Sequence, residues 1–160
     1  MPVYLGHIAQ VRSGRKMVKA AAVAKVLGGE EVIGQRVNTE LELAGVVRLG
    51  YWPAAIDQLF DGTVLTRADM ERLVMPRRTL NHRIKNGERL TREESDRVTR
   101  LARIIALAQE TFGDNSKVNS WLHKPVKAFG KQSPLDLLDT DEGARVVETQ
   151  LVRIAHGIAA

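Results

Sequence analysis

TRADMERLVMPRRTLNHRIKNGERLTREESDRVTRLAR, Thr66 to Arg103, divides into three short amphipathic runs with an uneven charge balance. It holds eleven Lys/Arg against six Asp/Glu, and the rest of the chain holds thirteen of each, so this window carries the whole formal charge of +5. Thr66 is placed to cap the first run, with Asp69 at the positive end of the helix dipole. Met70, Leu73 and Val74 form an i, i+3, i+4 apolar stripe. Pro76 disfavours helical geometry in Met75 yet suits a first helical turn, which predicts a helix ending near Val74 and another beginning at Pro76. Leu80 and Ile84, four apart, are the expected buried pair of that second helix, and Asn86-Gly87 supplies a left-handed stop. Thr91-Arg-Glu-Glu94 reads as a capping box opening a third helix with Val98, Leu101, Ala102 and Ile105 inward.

Short helices joined by tight turns and loaded with cations are what a helix-turn-helix DNA reader requires. With Leu80 and Ile84 inward, the opposite face holds Arg78, Thr79, His82 and Lys85, and Arg77, Asn81 and Arg83 sit on its flanks. Arg suits bidentate contact to guanine and Asn to adenine, so Arg77 or Arg78 and Asn81 are the candidate base readers. Arg83, Lys85 and Arg89 are the candidate phosphate contacts, which position without specifying sequence.

Within and just past this window stands RTLNHRIKNGERLTREESDRVTRLARI (Arg78 to Ile104), and downstream follow ETFGD (Glu110 to Asp114), WLHKP (Trp121 to Pro125) and SPLDLLDTDEGARVVETQLVRIAHG (Ser133 to Gly157). In this order and spacing the four segments resemble the Xre/ParS/MbcA-type antitoxins of bacterial toxin–antitoxin pairs, from about Leu27 onward. The resemblance implies an all-α chain, an Xre-like helix-turn-helix followed by a small helical toxin-binding domain. It implies a partner toxin, typically a RES-domain protein that consumes NAD, repression of the pair's own promoter through operator DNA, and a last helix that packs at the toxin's cleft. At Ala155 and Ala159 the chain departs from many relatives, which carry an acidic and an aromatic residue there. The expected division is a basic arm and helix at 1–28, the helix-turn-helix domain at 29–109 and the toxin-binding domain at 110–160.

The residues of the C-terminal third point to a partner surface on their own terms. Ser133 and Pro134 open one short helix, and Leu135, Leu137 and Leu138 form an apolar knot beside it. Thr140 caps the last helix, whose first turn holds Asp141 and Glu142. Ala144, Val147, Leu151, Ile154 and Ile158 recur at three and four residues, a seam for core, dimer or toxin. Arg145, Gln150, Arg153, His156 and Gly157 are the candidate toxin contacts. Trp121 reads as a core anchor.

Nearer the N-terminus, Met17 to Leu27 predicts a helix stopped by Gly28-Gly29, preceded by a loose basic arm. Thr39-Glu-Leu-Glu42 is a further capping box, opening a helix that uses Leu43, Val46 and Val47 and ends at Gly50. Pro53 to Phe60 is the expected first helix of the DNA-binding unit.

Composition bounds the alternatives. The 160 residues are 44% hydrophobic with no cysteine, which excludes disulfides and thiolate zinc sites and suits a reducing cytoplasm. No apolar run approaches the roughly 20 residues that span a bilayer. The four histidines, His7, His82, His123 and His156, lack metal-ligand spacing, and Gly28-Gly29 precedes no Lys-Ser/Thr. These features point away from an enzyme, a metal or a cofactor. They leave a homodimeric antitoxin that binds toxin and DNA, or a free-standing helix-turn-helix regulator with a C-terminal dimerisation or effector domain.

Overall fold

A computed structural model describes residues 17–61 and 64–158, and it is helical throughout, with no strand among the described residues. The helices are α1 (Ala20–Val26), α2 (Gly29–Ile33), α3 (Glu40–Leu49), α4 (Ala54–Asp61), α5 (Arg67–Leu73), α6 (Arg77–Asn86), α7 (Arg92–Phe112), α8 (Asn115–His123) and α9 (Asp141–Ala155). Two 3-10 turns, Lys127–Phe129 and Pro134–Leu137, join α8 to α9. The basic arm expected before α1 lies largely outside the described residues.

Helix α7 is the axis of the molecule. It opens with the expected capping box, Glu94 N–H donating to Thr91 Oγ1 at 3.1 Å and Thr91 N–H to Glu94 Oε2 at 2.8 Å. Its start is amphipathic, but Ile104 to Ala108 are five consecutive buried residues. A helix apolar on every side must be enclosed by other helices, and α1, α3, α8 and α9 all pack against α7. Val23 of α1, Leu27 at its C-terminal cap, and Val147 and Leu151 of α9 are fully buried. At roughly 1.5–3 kcal/mol for each fully buried large aliphatic side chain, these contacts are a main source of stability.

The other caps fall where the sequence places them. Thr39 and Glu42 form a capping box at α3, and Thr66 and Asp69 form one at α5. Asp114, not singled out from sequence, caps α8 through Ser116 N–H at 2.6 Å. Gly143 is required by space: a Cβ there would collide with the carbonyl oxygen of Leu137, so α9 lies close on the preceding turn. Tyr51 is buried between α3 and α7, its N–H donating to Ser95 Oγ at 3.1 Å and its hydroxyl 2.8 Å from Thr99 Oγ1. That bond explains why Ser95, a polar residue of α7, is fully buried.

One expectation of burial is corrected, and the burial of two further positions, which the sequence left open, is now seen. Ile84 is 53% exposed and is no partner of Leu80 in the core. Gln150 is buried at 7% exposure, because it lies beside Leu151 on the face that α9 turns towards α7. The apolar seam of α9 closes at Leu151: Ile154 is half-buried and Ile158 is 63% exposed, as the chain runs past the surface it packs on.

Candidate functional site

The exposed surface of α6 is set by what holds the helix down. Val74 and Met75 are buried in the turn that follows α5, Pro76 (φ −59°) starts α6, and Gly87 (φ 63°) closes it in the left-handed conformation glycine tolerates. Leu80 faces the core. Its companion is Arg83, whose Nε and Nη2 donate to the two carboxylate oxygens of buried Glu94 at 3.1 and 3.2 Å, and whose Nη1 donates to Glu88 at 3.0 Å. Glu94 above all, and Glu88, hold the guanidinium's pKa above its ordinary value. The inward face of α6 is therefore Leu80 and Arg83 with half-buried Thr79, one position round the helix from the expected Leu80–Ile84 pair. The physical reason is that a fork-shaped cation facing a buried carboxylate is satisfied inside. Ile84 instead borders an open groove of about 190 Å³ between α4, α5 and α6, lined by Ile56, Phe60 and Met70.

This rotation sorts the candidate DNA-binding residues. Arg77, Arg78, Asn81, His82 and Lys85 are exposed on one surface of α6, with His82 Nε2 3.0 Å from Asn86 Nδ2. Arg83 fastens α6 to α7. Arg89 is likewise engaged internally, donating to the carbonyl of Gly50 at 2.9 Å with its guanidinium 4.1 Å from the centre of the Trp52 ring. Much of the remaining positive charge of Thr66 to Arg103 is also tied down: Arg72 to Asp136, Arg97 to the Val74 carbonyl, Arg100 to Asp141 and Arg103 to Glu40. The charge surplus that sequence spreads over 38 residues is concentrated by the fold on α6, which carries no acid.

A second surface runs along α9. Arg145, Val146, Thr149, Arg153 and His156 are exposed at spacings of three and four, a continuous stripe whose first member, Arg145, borders the groove between α9 and α7. Arg145 makes only a loose pair with Glu142 at 3.7 Å, and Gly157 (φ 69°) turns the chain after the helix. Of the five candidates on this segment, Gln150 alone is taken out of the surface. Val146, 50% exposed, is an apolar member of the stripe that the sequence reading missed. Ala155 is exposed at the end of α9, on the side of Leu151 and not of the stripe, and Ala159 lies outside the described residues.

A polar junction ties α5 to α8 and to the Pro134–Leu137 turn. His123 of α8 places Nε2 3.1 Å from Asp69 Oδ2 and Nδ1 2.9 Å from the Asn119 carbonyl. Arg72 of α5 reaches Asp136 Oδ1 at 2.8 Å. Burial pushes the Asp69 carboxyl up, but hydrogen bonds from Thr66 and His123 outweigh it and leave its pKa below the ordinary value. Asp136 is lowered by its bonds from the Ser133 hydroxyl and N–H, then by Arg72. Each aspartate is at once a helix cap and a partner of a side chain on another element, Asp69 of His123 and Asp136 of Arg72. The capping motifs were visible in sequence; their second partners, 54 and 64 residues away, were not.

Among the described residues no group of three or more His, Asp or Glu is placed to hold a metal ion, and no helix is long and apolar enough to cross a membrane.

Residues 44–103 match the antitoxin Xre-like helix-turn-helix domain, and residues 107–157 match the antitoxin Xre/MbcA/ParS C-terminal toxin-binding domain. An antitoxin Xre of Pseudomonas putida is 34% identical over 119 residues, 74% of either chain. An antitoxin Xre of Yersinia enterocolitica is 31% identical over 128 residues, 79% of this chain and 86% of its own. A Prs ADP-ribosylating antitoxin of a Sphingobium species is 33% identical over 88 residues, 49% of this chain and 55% of its own. The two domain matches meet within α7, between Arg103 and Leu107.

Proposed function

This chain belongs to the Xre/MbcA/ParS antitoxin family, a family of non-enzymatic regulators with a helix-turn-helix and a toxin-binding domain, and from that premise we propose how it divides its work. The outer stripe of α9 and the residues after it occupy the cleft of a cognate RES-domain toxin and keep its NAD substrate out. The exposed surface of α6 enters the major groove of operator DNA, so that the protein represses its own operon. Two chains act as a homodimer, with α6 helices in successive major grooves about 10 base pairs apart or a multiple of that. The observation that carries this reading is the separation of two surfaces on one body: Arg77, Arg78, Asn81, His82 and Lys85 on α6, and Arg145, Val146, Arg153 and His156 on α9. In the α6 set, Arg77, Arg78 and Asn81 read bases and Lys85 takes phosphate. Arg83 and Arg89 contribute to DNA binding by holding the surface in place.

The name of the Sphingobium relative joins an antitoxin to ADP-ribosylation, a transfer that draws its ADP-ribose from NAD. It favours a second version of the same reading, in which the toxin transfers ADP-ribose to a protein instead of degrading NAD outright. Co-expression with the protein encoded next door distinguishes the versions. Growth arrest relieved by this chain is the expected result; a fall in cellular NAD without labelled protein marks a NAD-degrading toxin, and ADP-ribosylated protein marks a transferase. A neighbour that is harmless without this chain would overturn the antitoxin–toxin pairing. Arg153→Glu, on the exposed stripe, tests the surface without disturbing the core; truncation before α9 does not, because it strips Val147 and Leu151 from α7.

A further inference from the structure

Residues 115–135 hold four lysines, Lys117, Lys124, Lys127 and Lys131, and no acid. All four are exposed. Unlike Arg72, Arg83, Arg100 and Arg103, none of them pairs with a carboxylate among the described residues. The end of this segment is tied to α5 at two points. His123, immediately before Lys124, meets Asp69 in the first turn of α5 at 3.1 Å, and Asp136 meets Arg72 in its last turn at 2.8 Å. Residues 124–135 therefore run alongside α5. Helix α6 lies on the opposite side, across the groove bordered by Arg67 and Met70. On a helical wheel Arg67 and Met70 point one way and Asp69 and Arg72 the other.

The turn that carries two of these lysines is rigid, and one of them is held against its own preference. Val126 N–H donates to the Gln132 carbonyl at 2.9 Å and Lys131 N–H to the Val126 carbonyl at 3.2 Å. Phe129 is buried beneath them, its ring centre 6.3 Å from that of Trp121. Lys131 has φ 70°, the one positive φ outside glycine among the described residues. A side chain is disfavoured there and glycine would close the turn with less strain, so the local fold does not call for lysine. In a helix-turn-helix complex the second helix enters the major groove while the first crosses the phosphate backbone. Here the first helix is α5, and the lysine segment flanks it. The exposed acid of α5, Glu71, lies a turn beyond Arg67 and Ala68 and leaves the first turn open to phosphate. Lysine is a compact point charge, suited to a phosphate backbone that is gripped without being read.

We propose that Lys124, Lys127 and Lys131 are a phosphate clamp on the toxin-binding domain, gripping the DNA backbone that flanks the groove entered by α6. The proposal rests on the DNA-binding reading above and gives the second domain a share in it. The test is a titration of the full chain, over a range of salt, against two duplexes of equal length. One holds the DNA upstream of the chain's own start codon and the other an unrelated sequence. The variants are the triple Lys124→Gln, Lys127→Gln, Lys131→Gln, the single Lys131→Gly, and Lys117→Gln as a control about 10 Å along α8 from Lys124. Every site is exposed, and circular dichroism checks folding. The triple variant is expected to flatten the dependence of log affinity on log salt by about 2–3. At about 0.1 M salt it should lose on the order of a hundredfold or more in affinity, by the same factor on both duplexes. Lys131→Gly should flatten the slope by about one contact while melting no lower than the wild type, because glycine accepts this turn. Lys117→Gln should keep the wild-type slope. A triple variant that binds both duplexes like the wild type, while Arg78→Ala weakens operator binding, would overturn the clamp and leave the DNA-binding reading standing. So would a triple variant that loses only its toxin, which would assign the lysines to that partner. An equal loss in Lys117→Gln would reduce the effect to net charge and overturn the placement. A wild type that binds neither duplex at about 50 mM salt would overturn the DNA-binding reading itself.

Discussion

Arg78 and Arg83 stand five positions apart on one short helix, carry the same charge, and are assigned opposite tasks by their surroundings. Arg78 is exposed, whereas Arg83 is held by Glu94 and Glu88. Arg83→Ala leaves the carboxylate of Glu94 buried without its cation, and is expected to cost about 1–3 kcal/mol in urea unfolding, reduced from a fully buried pair because Arg83 retains some solvent access. Arg78→Ala should lie within about 0.5 kcal/mol of the wild type. The neighbouring apolar pair separates in the same assay. Leu80→Ala is expected to cost about 2–4 kcal/mol and Ile84→Ala under about 1 kcal/mol, since only Leu80 leaves a cavity. Spacing alone could not tell these residues apart: positions 80, 83 and 84 fall within one arc of a helical wheel, and the choice between an isoleucine and an arginine for the interior is made by Glu94, on another helix.

At the scale of elements, the capping motifs were the most legible signals, because a cap is a local bond between residues three apart. Thr39, Thr66, Thr91, Ser133 and Thr140 all cap where the sequence places them. The short helix α2 was not expected, as Gly28-Gly29 reads equally as a stop and as a link between two helices. The orientation of α9 was partly legible: Val147 and Leu151 are buried as its seam predicts, but Gln150 joins them and Ile158 does not. The junction of α5, α8 and the Pro134–Leu137 turn gives these elements a pH dependence. Asp69 and Asp136 have depressed pKa values, so their contribution to stability is complete above their ordinary value of 3.8 and is lost as pH falls through the lower folded values. Urea midpoints measured at neutral pH and near pH 3 should therefore differ less for Asp69→Asn than for the wild type. Gly143→Ala should destabilise α9 by moving its first turn off the Leu137 carbonyl, and a lowered melting temperature checks it.

For the whole molecule, the continuous helix α7 joins the two family domains, with α3 and α9 packed on the same rod. One cooperative thermal transition is expected by calorimetry, with calorimetric and van't Hoff enthalpies equal; two resolved transitions would show that the halves fold independently. The helical class and the basic helix-turn-helix were legible from charge and periodicity, and the order of the domains from the resemblance that the four motifs carry. The division of the cations into fastening and exposed groups was not, because it depends on which carboxylates and carbonyls the fold brings up to each arginine. A titration of the DNA upstream of the chain's own start codon with wild type and Arg78→Ala measures that division at the exposed face of α6. Arg78→Ala is expected to lose on the order of tenfold or more in affinity, the value of a base contact of about 1–3 kcal/mol, with the fold unchanged. Equal affinity for the two proteins would contradict it.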